Sequence, residues 1–344
     1  MPGPVEWSLS VHEAVAEPLA WVVVAAFLAG AAADLRSRSL ARRVTVGAWA
    51  LFAVFWLVQA PHFAFEQKSV IEGVGSAVAV PVSAYVGYLL WNGRDSLLTL
   101  SRAVAVMGVV FMPFEMIDPL RRWLVEGVTR QTELLMHAVG SSPEVVPGSR
   151  VCREGAVTNG QFACEETYPG YRNTFLYHTD GQRITYTILI ACTGIGSMAI
   201  FAGLVAAVRA PLTRKIRALA VSLPVIYALN LVRNVLIGVS FGEMRMQVFP
   251  ELVASVFGFS LARDPALVSY FLADRVLAQS ASVVALVAIT YLVVRELPEV
   301  LTVVEDLLFV VTGSEYDLRS ALSVSPVRAD GKGEGEGVEA TEEK

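Results

Sequence analysis

Long apolar stretches alternate with short polar connections along this chain. The apolar stretches are each about 20 residues long, or somewhat longer, and they cover residues 18–34, 44–60, 70–91, 101–117, 184–208, 217–240 and 266–294. A helix of about 20 apolar residues crosses the hydrocarbon core of a bilayer. The pattern therefore predicts an all-α fold: a polytopic integral membrane bundle of about seven transmembrane helices.

Composition supports this class. The chain is 54% hydrophobic and only 17% charged, whereas a soluble domain usually carries about a quarter charged residues. The mean hydropathy of +0.54 excludes an ordinary soluble protein. The net charge of −5 comes partly from the carboxyl-terminal stretch "DGKGEGEGVEATEEK" and indicates little about partners.

Basic residues indicate the orientation of the bundle. They concentrate in the connections "DLRSRSLARR", "NGRDSLLTLSR" and "RAPLTRKIR", which follow the first, third and fifth predicted helices. Alternate connections lie on one side of a membrane, and the side richer in arginine and lysine is usually cytoplasmic. We therefore expect the amino terminus outside and the carboxyl terminus in the cytoplasm.

The longest connection, residues 118–183, is then extracytoplasmic. It begins with an amphipathic stretch, passes through the turn-rich "GSSPEVVPGSR", and contains Cys152 and Cys164. Outside the cytoplasm the environment is oxidising enough for a disulfide. We expect these two cysteines to pair, the alternative being two free thiols. A metal site is not expected, because no further ligands follow at suitable spacing.

The chain is expected to divide at about residue 300. Residues 1–300 form the transmembrane bundle with its inserted loop, and 301–344 form a cytoplasmic segment. Apolar residues recur at helical spacing in "LPEVLTVVEDLLFVV", which predicts an amphipathic helix on the membrane face or against the bundle. From about Gly313 onward the composition is typical of a disordered tail.

Three polar side chains are predicted to lie at one depth in the membrane. Cys192 lies about eight residues into the fifth predicted helix from the outside, Arg233 about seven residues before the outer end of the sixth, and Arg275 about nine residues into the seventh. At 1.5 Å per residue all three are about 10–14 Å below the outer surface. Ionisable groups inside a membrane span usually serve a function. The alternative is a small packing cysteine and two arginines that reach independently to the surface.

A thiol between two guanidinium groups suits nucleophilic catalysis. Arginine keeps its charge and favours a nearby thiolate. One arginine would stabilise the thiolate, and the other would stabilise the oxyanion that forms when the thiolate attacks a carbonyl. A histidine base is missing from the predicted spans; His178, near the mouth of the fifth helix, is a weak candidate.

Four further residues are candidates for support. Asn230 and Asn234 flank Arg233 at helical spacing and either hydrogen-bond within the site or join helices. Asp274 adjoins Arg275 but is expected to point about 100° away from it around a regular helix, as an acid that faces the entrance to the site. Glu115 closes the fourth helix, where it either orients an arginine or marks the membrane interface.

These motifs resemble the exosortase/archaeosortase family. The resemblance rests on "ACTGIGSM" at Cys192, "NLVRN" at Arg233 and "ADR" at Arg275, and is strongest over residues 184–294. It implies Cys192 as nucleophile with Arg233 and Arg275 as its partners; the third position is arginine in the archaeal branch, where exosortases have histidine.

The resemblance also implies a function. Family members are membrane cysteine transpeptidase-like enzymes that recognise exported proteins by a carboxyl-terminal tail of a short motif, a transmembrane helix and a basic cluster. In the archaeal branch the motif is Pro-Gly-Phe and surface-layer glycoproteins are typical substrates. The tail is removed and the new carboxyl end is joined to a membrane lipid. No cofactor and no nucleic-acid partner is expected.

Two other functions compete with this one. A simple intramembrane cysteine protease would use the same nucleophile with water as acceptor. A transporter for an anionic solute would use the arginines, but would need polar groups in both halves of the membrane, whereas the inner half looks sealed. A retinal protein is rejected, because the predicted spans contain no lysine for a Schiff base.

Overall fold

The computed structural model describes residues 4–66, 70–148, 157–158 and 170–321. Long helices dominate it: α1 Pro4–Ala33, α2 Arg38–Pro61, α3 Val70–Trp91, α4 Leu97–Met116 and α5 Asp118–Ala138. After a small sheet follow α6 Ile195–Ala207, α7 Leu212–Gly242, α8 Pro250–Phe257 and α9 Ala266–Phe271. The chain continues through a π-helical segment, Leu272–Ala278, into α10 Gln279–Glu296, and ends with α11 Leu301–Thr312 and α12 Leu318–Ala321.

The predicted membrane bundle is confirmed. Within the described residues, six helical stretches are long and apolar enough to cross a membrane: Ala14–Ala33, Arg38–Phe65, Gly73–Trp91, Leu97–Met116, Leu212–Gly242 and Ala266–Glu296. The shorter apolar helix α6, Ile195–Ala207, occupies the place of the fifth predicted span. The total of seven spans and the direction of the termini stay predictions.

The basic connections gather at one end of the bundle. Arg42 donates from Nε to Asp95 at 2.9 Å, which joins the first connection to the second. Asp34 lies 3.9 Å from Arg102 and 3.7 Å from Arg209, which brings the third connection to the same place. The sequence pattern therefore identified correctly which loops share a face.

Helix α11 packs against this basic end. Arg94 donates to Asp306 at 3.1 Å and to Glu315 at 2.7 Å. The Glu305 carboxylate accepts from the backbone N–H of Leu318 at 2.8 Å. Ordered chain thus continues to Ala321, beyond the Gly313 at which the tail was expected to begin, because these bonds fix it to the bundle. Residues 322–344 lie outside the described part, and the division at residue 300 stays a prediction.

A four-stranded sheet, which the sequence analysis did not predict, lies at the opposite end. Its strands are β1 Glu144–Pro147, β2 Val157–Thr158, β3 Arg172–Thr179 and β4 Gln182–Thr187, in the order β1-β3-β4-β2. Strands β3 and β4 form an antiparallel hairpin. Its two-residue turn, Asp180-Gly181, has φ of 50° and 75°, which is the positive-φ geometry that favours Asp-Gly in tight hairpins.

The sheet is anchored to α5, the amphipathic helix at the start of the long connection. The Tyr171 hydroxyl donates to the Asp118 carboxylate at 2.6 Å, and Arg121 donates to the same oxygen at 3.2 Å. Both hydrogen bonds lower the pKa of Asp118, and the bond from Tyr171 has the larger effect. The connection over 118–183 is therefore a folded unit in its described parts. Cys152 and Cys164 lie outside the described residues, so their pairing stays a prediction.

The predicted helix over 184–208 is wrong in its first half. Residues up to Thr187 belong to β4, and a single 3-10 turn, Ile190–Thr193, precedes α6. Strand β4 runs alongside the end of α7: the side chain of Tyr186 bonds Asn234, while Thr179, at the hairpin turn, bonds the carbonyl of Gly242 at 2.6 Å. The end of strand β4 and the 3-10 turn therefore take the place of the first half of the expected helix.

Candidate active site

Cys192 lies on the 3-10 turn between β4 and α6. Its N–H donates to the Leu189 carbonyl at 2.9 Å, which closes the turn, and its side chain is half-buried. Gly194 follows with a φ of +79°, in the left-handed region, and joins the turn to the first residue of α6. A Cβ at Gly194 would lie 3.1 Å from Cγ of Asn230. Both the turn and the close approach of α7 therefore require glycine here.

Two asparagines hold the backbone of Cys192. Asn230 and Asn234, one turn apart on α7, donate their side-chain amides to the Cys192 carbonyl at 2.5 Å and 2.8 Å. Asn234 is fully buried, and its side-chain oxygen accepts from the Tyr186 hydroxyl at 3.3 Å. The carbonyl therefore has both of its lone pairs occupied by donors from one neighbouring helix, which fixes Cys192 against α7.

Arg233 lies between these asparagines in sequence and makes a different contact. Its Nη2 donates to Asp274 Oδ1 at 2.8 Å. The other carboxylate oxygen of Asp274 is 3.6 Å from Nε of Arg275. One carboxylate, with its side chain only 8% exposed, thus lies between two guanidinium groups whose side chains are 31% and 18% exposed.

The expected outward direction of Asp274 is therefore wrong. Asp274 and Arg275 lie in the π-helical segment Leu272–Ala278, which interrupts the regular helix between α9 and α10. A π-helical turn contains more residues than an α-helical one. Neighbouring side chains are consequently rotated differently about the axis, and Asp274 faces α7 instead of the entrance.

The two arginines have different neighbours. Arg233 lies near enough to interact electrostatically with both Cys192 and Tyr186. Arg275 neighbours Asp274 and the buried Tyr270. Arg233 is thus the arginine whose charge acts on the thiol, while Arg275 is connected to Arg233 through Asp274.

Tyr186 and Tyr270 were missed by the sequence analysis. Their side chains are 2% and 4% exposed, and the electrostatic interactions of both include Cys192 and Asp274. Tyr270 precedes Asp274 by four residues on one helix, a spacing that identifies it once Asp274 is implicated. Tyr186 gives no comparable signal, since its position was assigned to a helix.

The position of the cluster can be followed along α7. Asn234 precedes the carboxyl end of that helix, Gly242, by about 12 Å at 1.5 Å per residue. Cys192 lies level with Asn230 and Asn234, through the bonds described above. Cys192, Arg233 and Arg275 therefore meet in one cluster, while its depth below the membrane surface stays a prediction.

Two other candidates lie elsewhere. His178 is exposed and pairs across the hairpin with Arg183 next to the turn, at the Gly242 level instead of the Cys192 level. Glu115, at the end of α4, lines a cavity with residues of α1 and α2. Among the described residues it forms no hydrogen bond or ion pair with the Cys192 cluster.

Fold and cluster together define a class: a multi-pass membrane protein with a half-buried thiol beside a buried aspartate that is flanked by two half-buried arginines. Comparison with known proteins identifies the family. The model of the transmembrane exosortases (EpsH) matches residues 12–271. The chain therefore belongs to the transmembrane exosortase family.

Relatives match over nearly the whole chain. An archaeosortase A of Haloferax volcanii is 48% identical over 316 residues, which is 89% of this chain and 97% of the relative. An archaeosortase A of Natronomonas pharaonis is 42% identical over 314 residues, 88% of this chain and 94% of the relative. No solved structure matches the chain.

Proposed function

We propose that this protein is a membrane cysteine transpeptidase. It removes the carboxyl-terminal sorting tail of exported proteins and joins the new carboxyl end to a membrane lipid. The observation that carries the proposal is the cluster of Cys192, Arg233 and Arg275, built from three separate segments of a chain that belongs to the exosortase family. The similarity to two archaeosortases supports the same reaction.

Arg233 stabilises the attacking thiolate in this proposal. It neighbours Cys192, its charge is permanent, and attraction between opposite charges is stronger where water is scarce. Arg275 is one carboxylate further away. It is assigned to the oxyanion of the substrate carbonyl, directly or by holding Asp274 and thereby Arg233 in place.

The reaction has two balanced steps. The sulfur of Cys192 attacks the scissile carbonyl, the carbon–nitrogen bond breaks, and the proton of the thiol leaves with the amine of the released tail. A thioester remains on Cys192. A hydroxyl or amine of a lipid head group then attacks the thioester, forms an ester or amide, and returns its proton to the sulfur.

The backbone around Cys192 suits such a nucleophile. Asn230 and Asn234 fix its carbonyl, so the main chain holds the thiol in position. Preorganisation of this kind lowers the cost of reaching the reactive geometry. We assign the passing of the proton to the Tyr186 hydroxyl, which interacts with the thiol.

The substrate would enter along the membrane. Its transmembrane helix would lie beside α7 and the helix Ala266–Glu296, with its basic cluster toward the basic end of the bundle. The motif that precedes the helix, of the Pro-Gly-Phe type, would reach Cys192 near the extracytoplasmic face. Surface-layer-type proteins are the expected substrates.

The test uses purified enzyme in lipid vesicles with a tagged substrate that carries a Pro-Gly-Phe motif, a transmembrane helix and a basic cluster. Mass spectrometry of the substrate's carboxyl-terminal peptide is the readout. Wild type is expected to yield a shortened, lipid-bearing peptide, and Cys192→Ala and Cys192→Ser to leave the full tail. A shortened peptide without lipid would instead identify a simple protease, and normal processing by both variants would reject Cys192 as nucleophile.

A further inference from the structure

The cavity that Glu115 lines lies between α1, α2 and α4, outside the Cys192 cluster. Its volume is about 650 Å³, within the range of sites that hold a small organic ligand. Most of its wall is formed by apolar side chains of the membrane-spanning helices, among them Phe27, Phe52, Phe55, Trp56, Met107 and Phe111. A cavity of this kind suits an alkyl or isoprenoid chain.

Polar side chains collect at one end of this cavity. His12 from α1, Gln59 from α2, His62 just after α2 and Glu115 from α4 all line it, and the two imidazole rings stack at 4.3 Å. These residues lie toward the same end of the bundle as the sheet, because α4 leads there directly into α5. The cavity therefore has an apolar body and a polar head region, like an amphiphile.

The head region contains hydrogen-bond acceptors that await a donor. Oε2 of Glu115 and Oε1 of Gln59 are buried, and neither has a hydrogen-bond partner among the described residues. Burying such an atom without a partner is unfavourable, and more so when it is charged. A carboxylate and an amide oxygen together suit a protonated amine, which supplies several N–H donors and a compensating charge.

Arg121 is a cation that lines the cavity beside Glu115. Its Nη1 donates to the backbone carbonyl of Glu115 at 2.8 Å and its Nη2 to Asp118 at 3.2 Å, and its charge also interacts with the Glu115 carboxylate. Oε2 of Glu115 nevertheless has no hydrogen-bond partner among the described residues, so it can accept a hydrogen bond from a bound ligand.

We propose that this cavity binds one membrane lipid whose head group carries a primary amine. The amine is held by Glu115 and Gln59, and the chain lies along the apolar wall. The cavity and the catalytic cluster are linked through α4, since Phe111 both lines the cavity and packs against the apolar core that Cys192 also contacts. A lipid held there would be available as an acceptor; that use rests on the proposed function, whereas the binding does not.

The test is photolabelling of the Cys192→Ala protein in lipid nanodiscs, so that no reaction can consume the probe. The probe is a long-chain primary amine with a diazirine in its chain, and the matched probe is the carboxylic acid of the same length. Peptide mass spectrometry locates the label. We expect the amine probe to label residues of α1, α2 and α4 that line the cavity, and the acid probe to label them about tenfold less.

Two variants, each with a matched control, distinguish binding of the lipid chain from binding of the head group. Ala16 lines the cavity, so Ala16→Phe fills it and should abolish the labelling. Ala14→Phe, on the exposed opposite side of the same helix, is the matched control and should leave it unchanged. Glu115→Gln keeps the shape but removes the charge, and should lower amine labelling about tenfold, while Glu251→Gln, an exposed carboxylate, should not.

Label spread evenly over all spans would overturn the proposal, because it would indicate only the lipid that surrounds any membrane protein. Equal labelling by the acid probe, or no effect of Glu115→Gln, would overturn the assignment of an amine head group. Since every measurement is made without Cys192, failure here leaves the proposed reaction untouched, and success does not depend on it.

Discussion

Arg233 and Asp274 form an ion pair of 2.8 Å between two membrane helices, and the second oxygen of the same carboxylate faces Arg275. Three charges in one apolar region are stable only when they compensate one another. Asp274 therefore lets the protein keep two guanidinium groups beside a thiol, with a net charge of one instead of two. It is a positioning residue for both arginines.

Replacing this carboxylate should be costly. Asp274→Asn keeps the shape but leaves two arginines without their counter-charge, and we expect the free energy of unfolding to fall by about 2–3 kcal/mol. Thermal unfolding in detergent measures the change. Glu243→Gln, which removes the partner of the exposed Arg245, is the control and should cost less than about 1 kcal/mol. Equal losses in the two variants would contradict the role given to Asp274.

The two arginines should differ in their effect on the thiol. Because Arg233 faces Cys192 and Arg275 does not, Arg233→Gln should slow alkylation of Cys192 by iodoacetamide about tenfold, and Arg275→Gln only about two- to threefold. The rate is read from the Cys192 peptide by mass spectrometry, which separates it from the other cysteines. A larger effect of Arg275→Gln would reverse the assignment of thiolate and oxyanion partners.

The two asparagines should be coupled. Either one alone still donates to the Cys192 carbonyl, so Asn230→Ala should have a small effect. Asn234→Ala also leaves the buried Tyr186 hydroxyl without its partner, and should cost about 1–3 kcal/mol. The double variant should lose more than the sum of the single ones, because only then is the carbonyl deprived of both donors. Strict additivity in thermal unfolding would argue against a shared acceptor.

Gly194 should be intolerant of any side chain. Gly194→Ala places a Cβ at a φ of +79° and 3.1 Å from Asn230, and should cost about 1–2 kcal/mol as well as displace Cys192. Gly196→Ala is the matched control: nothing lies within 4 Å of its Cβ, and alanine is the better helix former. Processing of a tagged substrate should fall with the first variant and persist with the second.

Most of the long helices and the grouping of the cluster could be predicted from sequence, because both depend on simple repeats. A bilayer fixes the length of an apolar span, and a rise of 1.5 Å per residue converts position into depth. Cys192, Arg233 and Arg275 could therefore be assigned to one level without knowledge of how the helices pack.

The sheet could have been recognised at its turn. Asp180-Gly181 joins two stretches rich in threonine, tyrosine and isoleucine, which is a strong hairpin signal. It was overlooked because residues 184–194 are apolar enough to continue the apolar run of α6. A short apolar run does not by itself distinguish a buried strand from a helix.

Asp274 could not have been positioned from sequence. Its direction depends on the π-helical segment Leu272–Ala278, which no local residue pattern announces. In this segment Asp274 pairs with Arg233. The bonds from Asn230 and Asn234 to the Cys192 carbonyl depend in the same way on a 3-10 turn, where a helix was expected.

The most direct test of the mechanism is to look for the substrate on Cys192. Wild-type enzyme would be mixed with a Pro-Gly-Phe substrate in vesicles, quenched in acid within the first turnover, and digested for peptide mass spectrometry. We expect the Cys192 peptide to carry the upstream fragment of the substrate, and neutral hydroxylamine to release that fragment, as it does from a thioester. A shortened, lipid-bearing product formed by Cys192→Ala, or the fragment attached to any other residue, would contradict this mechanism.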